Sequence, residues 1–178
     1  MRIVAGAARG RRLLAPKGGG TRPTSDMVRG AVFNVLGQFF EGGSVLDLFA
    51  GTGAMSLEAL SRGCERAVCV ESGRDVAEVL RRNALACGLE DRVEVRVEPA
   101  EAAVARLPTG SFDLVFLDPP YAAGVEGVLP GVERLVRPGG RVVAEHDRRR
   151  PPADRCGRLA LVDRRAYGDT GISIYRLE

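Results

Sequence analysis

The stretch that decides the fold is Val45-Leu46-Asp47-Leu48-Phe49-Ala50-Gly51-Thr52-Gly53-Ala54. An apolar run leads into a turn that contains two glycines, and helical spacing begins at Ala54. Glycines in such a turn let the backbone approach a ligand closely and open a helix N-terminus toward it. We therefore predict a strand, a ligand-binding turn and a helix.

Strand and helix patterns alternate along the chain after this segment. Apolar runs predict strands at residues 44–49, 66–71, 93–97, 112–117 and 141–145, and helical spacing predicts helices at 54–62, 75–87, 100–107 and 125–136. Pro138-Gly139-Gly140 is predicted to stop the last helix, and residues 159–163 and 172–177 are predicted to form two closing strands. The series predicts an α/β fold whose mostly parallel seven-stranded sheet carries helices on both faces.

Residues 1–43 differ in pattern and charge from the rest, and predict a small β-hairpin and helix extension before an α/β domain at residues 44–178. Residues 2–15 fit a hairpin with a turn near Gly10, and Thr24 or Ser25 is suited to cap the helix. Residues 1–40 hold seven basic residues and one acid, a net charge of +6, and the total of +3 leaves −3 for residues 41–178. A basic arm favours a polyanionic partner, with an ordinary solvated surface as the alternative.

Length and composition limit the classes of protein to consider. A chain of 178 residues with 45% hydrophobic and 28% charged residues predicts a single packed domain. The sequence has no uncharged apolar run of about 18 residues and no signal peptide, so we expect no membrane segment. Cys64, Cys69, Cys87, Cys156 and the single His146 are scattered, which predicts free thiols in a reducing cytoplasm and no metal site.

Two cofactor classes share the pattern of strand, glycine turn and helix. A dinucleotide fingerprint G-x-G-x-x-G would need glycine at position 56, where the chain has Ser56. Asp47 would oppose a pyrophosphate but suits the ammonium group of a methionine moiety, directly or through the neighbouring loop. Glu71 ends the second strand, where a carboxylate can accept both hydrogens of a ribose diol. S-adenosylmethionine is therefore favoured over NAD.

The fourth predicted strand ends in the tetrapeptide Asp118-Pro119-Pro120-Tyr121. If this strand lies beside the first, Asp118 is next to the cofactor turn. An exocyclic base nitrogen is a poor nucleophile because its lone pair is delocalised, and two acceptors, the Asp118 carboxylate and the Pro119 carbonyl, would favour a tetrahedral nitrogen. The prolines hold this geometry, and Tyr121 can stack on a flipped base. The tetrapeptide predicts a methyltransferase that acts on the amino group of a nucleic-acid base.

Several alternatives remain at this point. A Pro-Pro turn with an incidental Asp and Tyr would explain the tetrapeptide without chemistry. A carbon-5 methyltransferase would need a cysteine nucleophile at this strand end, which the sequence lacks. A DNA adenine or cytosine amino-methyltransferase would be expected to carry a further recognition domain, and a protein-glutamine methyltransferase usually has Asn in place of Asp118. A non-catalytic RNA-binding assembly factor with the same fold is the alternative outside enzymes.

These motifs together resemble the RsmD family of bacterial 16S rRNA guanine-N2 methyltransferases. The similarity covers nearly the whole chain, in residues 2–6, 9–11 and 22–24 with Asp26, Arg29, Phe33 and Asn34, in residues 45–63 and 118–121, and in residues 167–170 with Ile172 and Tyr175. Asp-Pro-Pro-Tyr alone is shared with DNA amino-methyltransferases. The arginine-rich opening is what resembles RsmD in particular.

The resemblance implies a class I methyltransferase fold, S-adenosylmethionine without a metal, and one guanine of 16S rRNA as the substrate, in the small subunit or its assembly intermediate. We expect a monomer. The candidate cofactor contacts are Asp47, Phe49, Gly51, Gly53, Glu71, Ala100 and Asp118, and the candidate RNA contacts are Arg2, Arg9, Arg11, Arg12, Arg22, Arg29 and Asn34. Relatives often carry Asp where this chain has Pro99, so the contact to the adenine amino group is expected to be absent or moved to Glu98 or Glu101.

Overall fold

The computed structural model describes residues 1–16, 26–120 and 122–178. The predicted helix caps Thr24 and Ser25, the candidate RNA contact Arg22 and the candidate catalytic Tyr121 lie outside these residues. Among the described residues, no helix is long and apolar enough to cross a membrane.

Helices and strands alternate along most of the described chain. The helices are α1 (Asp26–Leu36), α2 (Ala54–Ser61), α3 (Arg74–Cys87), α4 (Ala100–Arg106) and α5 (Leu129–Val132), with 3-10 turns at Glu90–Arg92 and Glu133–Leu135. The strands are β1 (Ser44–Asp47), β2 (Arg66–Val70), β3 (Val93–Arg96), β4 (Phe112–Leu117), β5 (Val136–Asp147), β6 (Arg155–Cys156), β7 (Leu159–Tyr167) and β8 (Thr170–Leu177).

The strands form one sheet in the order β3-β2-β1-β4-β5-β8-β7-β6. β1 to β5 are parallel, whereas β8 runs antiparallel to both β5 and β7. The predicted mostly parallel sheet is confirmed, but with eight described strands instead of seven, because the two-residue β6 pairs with β7. The chain fills one half of the sheet from β1 outward and then returns to β4 beside β1, which creates a switch point where ligands commonly bind.

Side chains alternate between the two faces of the sheet and enter two separate apolar clusters. Val45 and Phe116 belong to the cluster that includes residues of α1, α2 and α3, whereas Leu46 and Leu117 belong to the cluster that includes residues of α4 and α5. The prediction of helices on both faces is therefore confirmed.

The segment before β5 differs from the prediction. The helix expected at residues 125–136 is only α5 and one 3-10 turn, because Gly127, Pro130 and Gly131 disfavour a longer helix. Pro138-Gly139-Gly140 does not end a helix but lies inside β5. Phe112 pairs with Val136 and Leu114 with Arg141, so a bulge in β5 takes up the extra residues.

The N-terminal segment is smaller than a regular hairpin. Arg2 and Arg12 form a single antiparallel bridge, and the amide of Ile3 donates to the carbonyl of Arg11 at 3.0 Å. Ile3 and Ala8 are buried in the same apolar cluster as α2 and β1. The N-terminal segment therefore packs directly onto the sheet domain, and the domain boundary at residue 43 stays a prediction.

Candidate active site

A cavity of about 650 Å³ opens at the carboxyl ends of β1, β2, β4 and β5. This volume lies in the ordinary range for small-ligand sites. Its walls combine the turn after β1, the end of β2, the start of α4, the segment after β4, and apolar residues of α1, β5 and β8. The lining residues used below are Val32, Asp47, Phe49, Gly51, Glu71, Glu98, Pro99, Ala100, Glu101, Phe116, Asp118, Pro119, Pro120, Val143, Glu145 and Ile172.

The turn after β1 needs its two glycines for different reasons. Gly51 and Gly53 both have positive φ, +53° and +81°. A Cβ on Gly51 would have no atom within 4 Å, so the glycine leaves open space beside the backbone at the cavity wall. A Cβ on Gly53 would lie 2.9 Å from the Cγ of Leu80, so this glycine lets α2 start close to α3. The open space at Gly51 is what a ligand approaching the backbone requires.

Glu71 follows β2, and two backbone amides hold its carboxylate in position. The amide of Gly51 donates to Oε2 at 3.0 Å, and the amide of Gly73 donates to Oε1 at 2.8 Å. A carboxylate has about four acceptor positions, so each oxygen can accept a further hydrogen bond from a hydroxyl. Glu71 is therefore a rigid pair of acceptors at the cavity wall.

Asp47, at the end of β1, is a buried carboxylate beside the glycine turn. Only 3% of the Asp47 surface is exposed to solvent. Its Oδ2 accepts a hydrogen bond from the Ser56 hydroxyl at 3.0 Å. The pKa of Asp47 is raised to about 7, mainly by burial. The hydrogen bonds from Ser56 and the Phe49 amide lower this pKa, and the charge of Glu71 raises it. A cationic group of a ligand would favour the ionised form.

The start of α4 forms the far wall of the cavity. Pro99 lies in extended backbone just before α4, and Ala100 is its buried first residue. Glu98 forms ion pairs with Arg106 and, at 3.9 Å, with Arg96. Glu101 is exposed in the first turn of α4. Glu98 and Glu101 were the two predicted replacements for the missing Asp. Among the described contacts, Glu98 forms ion pairs and Glu101 forms none.

The segment after β4 brings the candidate catalytic residues to the same cavity. Asp47 of β1 pairs with Phe116 of β4. Asp118 comes two residues after Phe116, so it lies just beyond the end of β4 that is next to Asp47. Asp118 is half-buried, Pro119 is buried and Pro120 is exposed, and all three line the cavity. The prediction that β4 lies beside β1 is confirmed.

The structure separates the basic residues of the N-terminal segment into two kinds. Arg2, Arg9, Arg11 and Arg12 are exposed, as is Asn34 on α1. Arg29, in contrast, is fully buried: its Nη2 donates to Asp26 and to the carbonyl of Arg2, and its Nε lies 3.3 Å from Glu58. The prediction that Arg29 contacts RNA is corrected, because a buried guanidinium engaged in this way has no access to a phosphate.

Two carboxylates, one in the buried core and one in the cavity wall, were not predicted from the sequence. Glu58 of α2 is fully buried and binds the N-terminal segment, and Glu145 of β5 lines the cavity beside Asp118. Glu58 resembles an ordinary helix-surface residue in sequence. The one available signal for Glu145 was its position at the end of the strand next to β4. In the described part of the chain, no group of three or more His, Cys, Asp or Glu side chains could hold a metal ion.

Related proteins identify the family. A family model described as "Conserved hypothetical protein 95" matches residues 1–176. YlbH of Bacillus subtilis, provisionally named an rRNA methyltransferase, is 37% identical over 182 residues, which cover 99% of this chain and 98% of that protein. "Ribosomal RNA small subunit methyltransferase D" of Escherichia coli is 39% identical over 125 residues, which cover 70% of this chain and 62% of that protein.

Solved structures agree with this relationship. The yhhF protein of Escherichia coli, provisionally named a methyltransferase, has a TM-score of 0.85 at 29% identity and covers 100% of this chain and 98% of its own. An RNA methyltransferase of Salinibacter ruber in complex with S-adenosyl-L-homocysteine shares the fold at a TM-score of 0.67 and 22% identity, covering 88% of this chain and 94% of its own. The predicted class I methyltransferase fold is confirmed, and the chain belongs to the RsmD family of methyltransferases.

Proposed function

We propose that this protein transfers a methyl group from S-adenosylmethionine to the exocyclic N2 amine of one guanine in 16S rRNA, within the small ribosomal subunit or its assembly intermediate. The observation that carries the proposal is the convergence of Asp118 and Pro119 with Gly51 and Glu71 in one cavity. A site for a methyl acceptor and a site for a nucleoside-containing donor thus share a wall, as direct transfer between them requires. We expect the protein to act as a monomer in the cytoplasm.

The residues at the end of β1 and β2 fit S-adenosylmethionine. Glu71 would accept the two ribose hydroxyls, Gly51 would leave space for the ligand beside the backbone, and Asp47 would pair with the ammonium group. Phe49 and Ala100, which line the cavity, would complete the contacts, and Glu101 would replace the missing Asp toward the adenine amino group. Gly53 is not among the lining residues and would act by letting α2 start directly behind the turn. When bound, the cofactor supplies a methyl group on a sulfonium, which is already electrophilic. No metal or strong base is needed.

Asp118 and Pro119 would prepare the nucleophile. The Asp118 carboxylate and the Pro119 carbonyl accept the two hydrogens of the guanine amine, which favours a tetrahedral nitrogen with a usable lone pair. Pro119 and Pro120 hold these acceptors with little reorganisation, so positioning supplies most of the acceleration. Tyr121 would stack on the base. As the nitrogen takes the methyl group, the bond from the methyl carbon to the sulfonium sulfur would break and leave S-adenosylhomocysteine, and the nitrogen would then release one proton to Asp118 or to water.

The rRNA substrate is supported by the relatives and by the charge of the N-terminal segment. YlbH and the E. coli protein are both named for rRNA, and the second is named for the small subunit. Arg2, Arg9, Arg11 and Arg12 are exposed and would contact phosphates, and the exposed Asn34 would extend this surface. Arg22, which lies outside the described residues, is proposed as a further contact from its place in the sequence. Phosphate contacts position a nucleic acid without reading its sequence.

The test is transfer of tritium from labelled S-adenosylmethionine into small subunits, naked 16S rRNA and duplex DNA, with the RNA taken from cells that lack the endogenous enzyme. We expect label in the subunit that digests to N2-methylguanosine. Asp118→Ala should lower turnover by roughly 100- to 1000-fold, the cost of removing one preorganised polar group from an active site. Because Asp118 is also a candidate cofactor contact, the affinity for S-adenosylhomocysteine, measured by calorimetry, should fall far less than turnover does.

Asp91→Ala is the matched control, because Asp91 is exposed in the 3-10 turn Glu90–Arg92, and it should keep full turnover. Label in DNA alone would retain the amino-methyltransferase and overturn the rRNA substrate. Full turnover by the Asp118→Ala variant would overturn the catalytic assignment. Binding of S-adenosylhomocysteine without label in any substrate would favour a non-catalytic RNA-binding assembly factor.

A further inference from the structure

A second carboxylate lies in register with Asp118 on the neighbouring strand. Phe116 pairs with Val143 and Leu117 pairs with Ala144 across β4 and β5, so Asp118 and Glu145 follow at matching positions. Both line the same cavity. The substrate end of the cavity therefore offers acceptor groups from two adjacent strand ends.

Apolar residues line the cavity on the side where Glu145 lies. Phe116, Val143 and Ile172 are buried residues of one cluster and line the cavity on the same side as Glu145, and Ile172 is the direct partner of Glu145 across β5 and β8. Val32 of α1 adds a further apolar wall. Apolar walls with acceptor groups along one edge suit a flat heteroaromatic ring that is held by its faces and read along that edge.

The hydrogen-bonding edge of guanine matches this arrangement of acceptors. Guanine presents a ring N1–H next to the exocyclic N2 amine, so three donor hydrogens lie side by side. Adenine and cytosine present a ring nitrogen lone pair next to their amines. An ionised carboxylate can accept hydrogen bonds but cannot donate one. It therefore attracts the N1–H of guanine and repels the ring lone pair of adenine or cytosine.

We propose that Glu145 accepts the hydrogen bond from the N1–H of the target guanine while Asp118 and Pro119 hold its amine, so that Glu145 selects guanine over adenine and cytosine. This inference rests on the proposed amino-methyltransferase activity and adds the residue that reads the base. It separates two tasks: Asp118 and Pro119 serve any exocyclic amine, whereas Glu145 distinguishes the ring position beside that amine.

The test exchanges the hydrogen-bonding character of residue 145 and of the base together. Small-subunit RNA is assembled with either guanosine or 2,6-diaminopurine riboside at the methylated position; both bases carry the C2 amine, but diaminopurine has an N1 lone pair instead of N1–H. Wild-type protein should prefer guanosine by roughly 10- to 100-fold in kcat/KM, as expected for a hydrogen bond to a charged group. Glu145→Gln should lower kcat/KM for guanosine and raise it for diaminopurine, because the glutamine amide donates to N1.

The ratio of the two kcat/KM values is the decisive readout, since loss of a merely structural residue would lower both values together. Glu90→Gln, at an exposed carboxylate in the 3-10 turn Glu90–Arg92, is the matched control and should keep the wild-type ratio. If wild-type protein labels no guanosine substrate, the proposed function is overturned, and the role of Glu145, which rests on it, is overturned with it. If wild-type protein methylates both substrates equally, or Glu145→Gln methylates guanosine with an unchanged ratio, the role of Glu145 is overturned. A wild-type ratio near one overturns the role of Glu145 even if the variant does not fold.

Discussion

Asp47 and Glu58 are two buried carboxylates in the same strand–turn–helix segment, and their surroundings are opposite. Glu58 is fully buried and receives hydrogen bonds from the amides of Val4 and Ala5, at 2.8 and 3.0 Å, and ion pairs from Arg29 and Arg62, at 3.3 and 2.7 Å. Asp47 is 3% exposed and receives hydrogen bonds from neutral groups, and no arginine or lysine of the described chain forms an ion pair with it.

We infer from this difference that the partners of a buried charge, more than burial itself, distinguish a group that holds the structure together from a candidate ligand contact. Two cations and two amides compensate Glu58, which therefore holds the N-terminal segment against α2. Asp47 lacks such compensation within the described protein, and burial raises its pKa to about 7. A buried acid in this condition beside a cavity is typical of a ligand-binding site.

The largest expected effect is on the free energy of unfolding when Glu58 is changed. Glu58→Gln should destabilise the protein by about 3–5 kcal/mol, because removing one partner leaves buried guanidinium groups without their counter-charge. Chemical denaturation followed by circular dichroism measures this. Hydrogen exchange at the amides of Val4 and Ala5 should accelerate, since they would lose an ionised acceptor.

Glu78→Gln is the matched control for this change. Glu78 also lies near two arginines, Arg81 and Arg82, each at 3.6 Å, but its side chain is 54% exposed. Exposed pairs contribute about 1 kcal/mol or less. Equal and small losses of stability in the two glutamine variants would contradict the view that Glu58 anchors the N-terminal segment.

The segment that Glu58 anchors should also carry much of the salt dependence of RNA binding. Joint substitution of Arg9, Arg11 and Arg12 by glutamine should make the negative slope of log affinity against log salt shallower by about 2. Each lost phosphate contact on single-stranded nucleic acid contributes about 0.7 to the magnitude of this slope. Filter binding of 16S rRNA at several salt concentrations measures the slope.

A second triple variant separates this local effect from the loss of net charge. Arg81, Arg82 and Arg106 are exposed on α3 and α4, and their substitution by glutamine removes the same charge elsewhere on the surface. We expect it to leave the slope near the wild-type value. An equal reduction of the slope in the two triple variants would mean that net charge, and not the N-terminal segment, determines the salt dependence of binding.

The sequence was sufficient for the features that depend on local patterns. The strands and glycine turn around Asp47, and the motif at Asp118, follow from short stretches, and the parallel topology then brings them together. The roles of Arg29 and Glu58 were not predictable in this way, because their contact joins residues 29 positions apart and an arginine and a glutamate on helices usually face solvent. The proposed role of Glu145 was likewise not predictable, because it depends on the register between β5 and β4.

The smallest expected effect concerns the pH dependence of cofactor affinity at Asp47. Because burial raises the pKa of Asp47 in the free protein to about 7, most of this carboxyl is ionised at pH 8 and about a tenth of it at pH 6. A bound ammonium group favours the ionised form, so binding releases a proton and affinity for S-adenosylhomocysteine should fall about tenfold from pH 8 to pH 6. Asp47→Asn should bind more weakly at pH 8 and lose this dependence, and calorimetry in buffers of different ionisation enthalpy would detect the released proton. The ligand's own titration is present with both proteins, so the difference between the two profiles isolates Asp47. Parallel profiles would show that Asp47 does not meet the ammonium group, and the comparison with Glu58 would then concern only the protein partners of the two carboxylates.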